Sequence, residues 1–183
     1  MKSLKGHFLV ASPHLPDDNF YHSVVLMVQH DEEGAFGLVL NRPTKNTVQE
    51  IWRLADEPPN QCTQTILRGG PVPGPLLALH TEAEHAETEV VPGVFVTTDK
   101  DALNAIVSRD DRPYRIFSGY SGWGGGQLEG ELQAGGWLTT PASAEHVFSD
   151  VDDLWERVVR QIGLEILAPP GKFRHIPSDP SVN

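Results

Sequence analysis

Two stretches of this chain are apolar on both of the faces that a strand would present. Val24-Val25-Leu26-Met27-Val28 is one, within Ser23–His30. Phe36, Leu38, Val39 and Leu40 form the other, within Ala35–Asn41. A half-exposed strand alternates apolar and polar residues, whereas an unbroken apolar run must be covered on both sides. The pair therefore predicts central strands with layers above and below them, and excludes an open meander. Asp31-Glu32-Glu33-Gly34 joins them. A type I turn with Gly34 in the left-handed position would close the hairpin.

The remaining pattern mixes both periods. Strands are expected at His7–Ser12, Thr65–Arg68, Leu76–Thr81, Gly93–Thr97, Tyr114–Tyr120 and Trp137–Thr140. Thr47 and Glu50 make a capping box, and Val48, Ile51, Trp52 and Ala55 follow one helical stripe. Thr98 and Asp101 are placed to cap a helix running to about Val107. A short helix is expected at Gln127–Gln133, and a longer one on Val151, Trp155, Val158, Val159 and Ile162. Glu82–Glu89 reads as an acidic exposed loop, and the glycines from Gly122 to Gly126 as a tight turn. Strands and helices do not alternate strictly, so the class is α+β. Residues 1–168 form one domain, and residues 169–183 read as a loose, proline-containing tail.

Charge and cysteine content remove several functions. Fourteen Lys and Arg against 25 Asp and Glu give a net charge of −11. Nucleic-acid binding needs clustered cations to neutralise phosphates, so direct binding is disfavoured. An anionic membrane surface is disfavoured for the same reason, and no run approaches the ~20 apolar residues that span a bilayer. The apolar stretch in Met1–Ser12 is too short for a signal-peptide core. Cys62 is the single cysteine, which rules out an internal disulfide and a cysteine-rich zinc site and fits a reducing compartment.

Catalytic templates are approached but not met. Gly119-Tyr120-Ser121-Gly122-Trp123 lacks the second glycine of a nucleophile elbow. Gly122, Gly124 and Gln127 break the dinucleotide fingerprint, and no P-loop occurs. Ile116 to Glu156 holds no Lys or Arg, so a phosphate there would lack its usual counter-charge. His80-Thr81-Glu82-Ala83-Glu84-His85 offers imidazoles and carboxylates without a metal-ligand spacing. No metal and no cofactor are therefore expected. Asn41-Arg42-Pro43 closes a buried strand, where a forked donor serves either a ligand or the adjacent backbone. Trp123 and Trp137 flank the glycine-rich segment, where they either pack into the core, the default for tryptophan, or wall a pocket.

Taken in order, these segments resemble the YqgE/AlgH family of bacterial proteins. The likeness runs from about Gly6 to Leu167. It is carried by His30-Asp31-Glu32-Glu33-Gly34-Ala35-Phe36-Gly37-Leu38, Asn41-Arg42-Pro43, Gly69-Gly70-Pro71-Val72, Gly119–Trp123, Gly126-Gln127-Leu128-Glu129 and Trp137-Leu138. Gly125 and Gly130 depart from a commonly expected proline and acidic residue. The resemblance implies a cytoplasmic α+β domain with a barrel-like, branching mixed sheet surrounded by helices. It implies no settled activity, although one branch is described as a transcriptional regulator of alginate production. The expectation is a non-enzymatic regulatory or binding protein whose partner is a protein or a small molecule. Its site would join Asn41 and Arg42 to Tyr120, Ser121, Trp123 and Gln127. The competing reading is a small hydrolase or transferase using Ser121 or His80, with Glu131 as acid or base.

Overall fold

The computed structural model describes residues 2–13, 15, 17–109 and 111–167. The chain runs β1 (His7–Ala11), β2 (Val24–Asp31), β3 (Gly34–Val39), β4 (Pro43–Thr47), α1 (Val48–Leu54), β5 (Thr65–Arg68) and β6 (Val72–His80). A single 3₁₀ turn, Ala83–His85, precedes β7 (Thr88–Val91), β8 (Val94–Thr97), α2 (Lys100–Val107) and β9 (Tyr114–Gly124). Then come α3 (Gln127–Gln133), β10 (Trp137–Pro141), α4 (Ala144–Val147) and α5 (Leu154–Leu167). The expected tail, 169–183, lies outside the described residues.

The doubly apolar strands β2 and β3 lie inside one sheet of order β10-β1-β2-β3-β9-β6-β8-β7. They form an antiparallel pair with Val25 opposite Val39 and Asp31 opposite Gly34. The sheet curls into a half-barrel. At its far end β7 comes back towards the first strands, and a Cβ on Gly6 would lie 2.8 Å from the Val90 carbonyl oxygen. Phe8, Leu26, Leu38, Leu79 and Phe117 fill the concave side, where Leu154, Val158 and Ile162 of α5 close the core. On the convex side α3 covers β2 and its neighbours through Leu9, Val25, Met27, Trp123, Leu128 and Trp137. Helices α1 and α2 cover another sector, with Val48, Trp52, Leu103 and Ile106 against Ile66, Ala78 and Ile116. Both faces of β2 and β3 are thus buried, as their composition demands.

The branch lies on β9. One edge of β9 pairs with β6. The other pairs antiparallel with β3 along Ser121–Gly124, and parallel with β5 at Phe117 and Ser118. The chain leaves β5 on one edge and enters β6 on the other, so it must cross β9. It does so at Gly69-Gly70. A Cβ on Gly69 would lie 2.3 Å from the Gly119 carbonyl oxygen, and one on Gly70 2.3 Å from the Tyr120 carbonyl carbon. Only glycine allows two backbones to approach so closely. Gly119, at φ +71°, supplies the left-handed residue beneath the crossing.

Several elements differ from the sequence expectation. The expected glycine turn is shorter than Gly122–Gly126: β9 continues to Gly124 and its end pairs with Gly34–Gly37, and only Gly125 and Gly126, the latter at φ +77°, turn the chain into α3. Gly34 does not close a turn in the left-handed helical region: at φ +150° it lies against β9, where a Cβ would sit 2.3 Å from the Trp123 carbonyl oxygen. The Glu82–Glu89 segment is exposed at Ala83, Glu84, Ala86, Glu87 and Glu89 as expected, but it is not all exposed loop. Glu82 is 2% exposed, Ala83–His85 form a 3₁₀ turn, and β7 begins at Thr88. Asp99, not Thr98, caps α2 by accepting from the Ala102 N–H at 2.8 Å. The capping box of α1 forms as expected. Among the described residues, no helix is long and apolar enough to cross a membrane.

Candidate functional site

The end of β3 carries Asn41 and Arg42. Asn41 Oδ1 accepts from the Val24 N–H at 3.0 Å, and Nδ2 donates to the His22 carbonyl at 2.8 Å. Arg42 Nη1 donates to the Asn41 carbonyl at 3.2 Å, and Nη2 to the Tyr21 carbonyl. Both side chains thereby hold the loop that enters β2. Burial pushes the Arg42 guanidinium below its ordinary pKa. His22 sits at φ +51° with its ring between those of Tyr21 and Trp155, both at 3.9 Å between centroids. A small pocket of about 230 Å³ opens here, lined by His22, Arg42, Asp152, Trp155 and Glu156.

Tyr120 and Ser121 sit at the crossing. Ser121 is 0% exposed, and its Oγ donates to the Gly69 carbonyl at 3.1 Å. Tyr120 faces the concave side, edge-on to Phe36 at 5.2 Å. Trp123, three residues on, belongs to the convex side. Strand periodicity separates these two rings onto opposite faces.

Trp123 and Gln127 converge on Glu131. Trp123 Nε1 donates to Glu131 Oε2 at 3.0 Å, and Trp137 Nε1 donates to the same oxygen at 2.8 Å. Gln127, one turn earlier on α3, donates Nε2 to Oε1 at 3.1 Å. Its own Oε1 accepts from the Gly124 N–H at 3.1 Å, which ties the end of β9 to the helix. Phe20 stacks on Trp123 at 5.9 Å and meets the edge of Trp137 at 5.3 Å. Beside this group lies a cavity of about 470 Å³ lined by Leu15, Asp17, Phe20, Glu131, Gly136 and Trp137. Half a turn away, Glu129 accepts from His30 Nε2 at 2.8 Å. The Leu4 N–H donates to His30 Nδ1 at 3.0 Å, so the ring proton resides on Nε2. The Glu129 backbone N–H and His30 together hold the Glu129 carboxyl below its usual range.

The six residues chosen from sequence thus fall in three places: Asn41 with Arg42, Tyr120 with Ser121, and Trp123 with Gln127. Sequence reasoning gave Glu131 a role only as an acid or base, and assigned neither Phe20 nor His22 to a site. The Gln127–Glu131 spacing of four on a helix, between two tryptophans, was the available signal.

His80 is 0% exposed, and burial pushes its imidazole below the usual pKa. Its Nδ1 accepts from the Glu82 N–H at 3.2 Å, and its Nε2 has no partner among the described residues. Ligand atoms of Glu82, Glu84 and His85 lie within 4.8 Å of one another. Arg109 Nη1 already donates to Glu82 Oε2 at 3.0 Å, so a guanidinium supplies the positive charge there. Cys62 Sγ accepts from Tyr114 Oη at 2.8 Å.

A half-barrel sheet that forks at one strand, crosses it on a glycine pair and carries helices on both faces defines an AlgH-like α+β protein. The AlgH-like family model (DUF179) matches residues 8–167, and the chain belongs to that family. It is 39% identical over 170 residues to a UPF0301 protein of Myxococcus xanthus, covering 90% of this chain and 94% of that one. It is 37% identical over 176 residues to a UPF0301 protein of Shewanella oneidensis, with the same coverage. The solution structure of AlgH from Pseudomonas aeruginosa superposes with a TM-score of 0.75 at 34% identity, over 92% of this chain and 97% of AlgH. A Corynebacterium diphtheriae crystal structure shares the fold at a TM-score of 0.71 and 23% identity, over 88% of each chain.

Proposed function

We propose that this chain is a non-enzymatic binding protein, regulatory in role, that acts in the cytoplasm through contacts with a small molecule or another protein. Its ligand seat is the cavity beside Glu131. One observation carries the reading: two indole N–H groups converge on a single carboxylate oxygen at the wall of an open cavity. Fixing a carboxylate with rigid aromatic donors pre-organises it, and a pre-organised polar group in an aromatic wall is how small-ligand sites obtain specificity. Of the residues expected from sequence, Trp123 and Gln127 belong to this seat. Asn41, Arg42, Tyr120 and Ser121 serve the frame that holds β2, β3 and β9 in place. The burial of Ser121, and its hydrogen bond to Gly69, weigh against a nucleophile at that position. A regulatory effect on transcription, as the AlgH branch suggests, would then pass through a bound partner, since the charge of −11 opposes direct contact with DNA.

A thermal-shift screen against panels of cations, anions and neutral compounds tests this. The expected result is a compound that raises the Tm of the wild type and leaves Glu131→Gln unmoved. Turnover of an ester, amide or phosphate substrate that is lost on Ser121→Ala would overturn it.

A further inference from the structure

We infer that the seat beside Glu131 takes a primary alkylammonium group. The inference rests on that cavity being a ligand seat, and adds the chemical class of the occupant. Glu131 Oε2 accepts two indole N–H bonds, which uses both of its lone pairs. Oε1 accepts one bond, from Gln127, and keeps a lone pair. All three donors are neutral. Among the described residues no Lys, Arg or His pairs with Glu131. The carboxylate is therefore oriented but not neutralised.

Its surroundings add charge of the same sign. Asp17 lines the same cavity, with Oδ1 engaged by the Asn19 N–H at 2.8 Å. The chain from Ile116 to Glu156, which supplies Trp123, Gln127, Glu131 and Trp137, contains no Lys or Arg. Among the described residues, an anionic ligand would meet two carboxylates and no cation. A cation would find a free lone pair on Glu131, the Asp17 carboxylate, and the rings of Phe20 and Trp137. Aromatic faces attract ammonium groups and also accept the aliphatic stem behind them. The free lone pair requires an N–H donor, which excludes a quaternary ammonium, and two carboxylates at the cavity favour a primary one, whose three N–H groups can serve both. The cavity, at about 470 Å³, is within the range of small-ligand sites.

n-Butylammonium, n-butanol and butyrate share a carbon chain and differ in charge, and they are the probes. Each is titrated into the full-length protein, followed by tryptophan fluorescence and calorimetry at low and moderate salt. The expected result is saturable binding of n-butylammonium, about ten-fold or more tighter than n-butanol, with no binding of butyrate. Salt weakens it. Glu131→Gln keeps an acceptor for the two indoles and weakens n-butylammonium binding about ten-fold or more. Should Glu131→Gln fail to fold, Asp17→Asn in the same cavity is expected to weaken binding in the same direction. Equal binding of the amine and the alcohol, preference for butyrate, or no binding of n-butylammonium would overturn the inference. A neutral or anionic compound from the screen above that loses its effect in Glu131→Gln would overturn the ammonium class and leave the seat standing.

Discussion

Replacing Gly70 by alanine tests the crossing on which the branched sheet depends. The added Cβ would lie 2.3 Å from both the carbon and the oxygen of the Tyr120 carbonyl, and 2.4 Å from the Ser121 nitrogen. Ordinary contacts to a Cβ begin near 3.4 Å, so relief needs a shift of about 1 Å between two backbones. Overpacking of this kind costs about 1–3 kcal/mol, occasionally more. The shift also pulls Gly69 away from two bonds to its carbonyl, from Val39 N–H at 2.8 Å and Ser121 Oγ at 3.1 Å. Each is worth about 1 kcal/mol. A loss of about 3–5 kcal/mol follows, or about 6–20 °C in Tm for a domain of this size. Gly130→Ala is the control. Its Cβ would meet nothing within 4 Å, in the interior of α3. Alanine there should stabilise by about 0.5–1 kcal/mol. Urea denaturation followed by circular dichroism compares the two. If Gly70→Ala unfolds within about 1 kcal/mol of the wild type, or both variants shift in the same direction, the crossing is not held by backbone contact.

Ser121→Ala removes a buried hydrogen bond without touching the backbone, and should cost about 1 kcal/mol in equilibrium unfolding; an unchanged stability would deny Ser121 its role at the crossing. Arg109→Ala leaves the buried Glu82 carboxylate without its partner, whereas Glu82→Gln removes the charge itself. The arginine variant should therefore melt lower than the glutamine variant, and the reverse order would show that the carboxylate is not stranded. His80 gives a pH test. Burial lowers its pKa, so on acidification the unfolded chain takes up the proton before the folded one. Its contribution to stability is full above about pH 6.5 and falls as pH drops below that value towards the folded pKa. His80→Gln should flatten the stability profile between pH 8 and 5, and an identical slope in both proteins would exclude His80 as the cause.

Sequence reasoning served well where one residue pattern decided the outcome. The doubly apolar β2 and β3, the capping box of α1 and the stripe of α5 follow from local periodicity. It failed where a distant segment decides. Strand β4, Pro-Thr-Lys-Asn-Thr, has no apolar signal and exists because β5 pairs with it. Glu82 is buried because Arg109, 27 residues later, reaches it. The last residues of β9 include Gly122 and Gly124, of poor strand propensity, yet they pair because β3 lies alongside: Gly124 is opposite Gly34 and Gly122 opposite Phe36. Within the candidate seat, the helical spacing of Gln127 and Glu131 was legible. The convergence of Trp123 and Trp137 on one oxygen was not, since it requires β9, α3 and β10 to be placed against one another.

That convergence gives physical meaning to the stretch without basic residues. Its carboxylates are aimed mainly at neutral donors: Glu129 at its own backbone N–H and His30, Glu131 at two indoles and an amide. The arginines that flank the stretch are spent elsewhere. Arg115 donates to the carbonyls of Phe148 and Ser149, and Arg157 to Ser149 Oγ, the Asp150 carbonyl and Asp153. Cations therefore pin the segment between α4 and α5, while the carboxylates of α3 stay uncompensated by any full positive charge from Lys or Arg. Had Arg115 or Arg157 reached Glu131, the convex face would be neutral and an ammonium group would gain little from it. Because neutral donors fix these carboxylates without cancelling their charge, the field at the cavity persists, and Gln127→Lys, which adds a positive charge, should extinguish it by supplying the missing partner from within the helix.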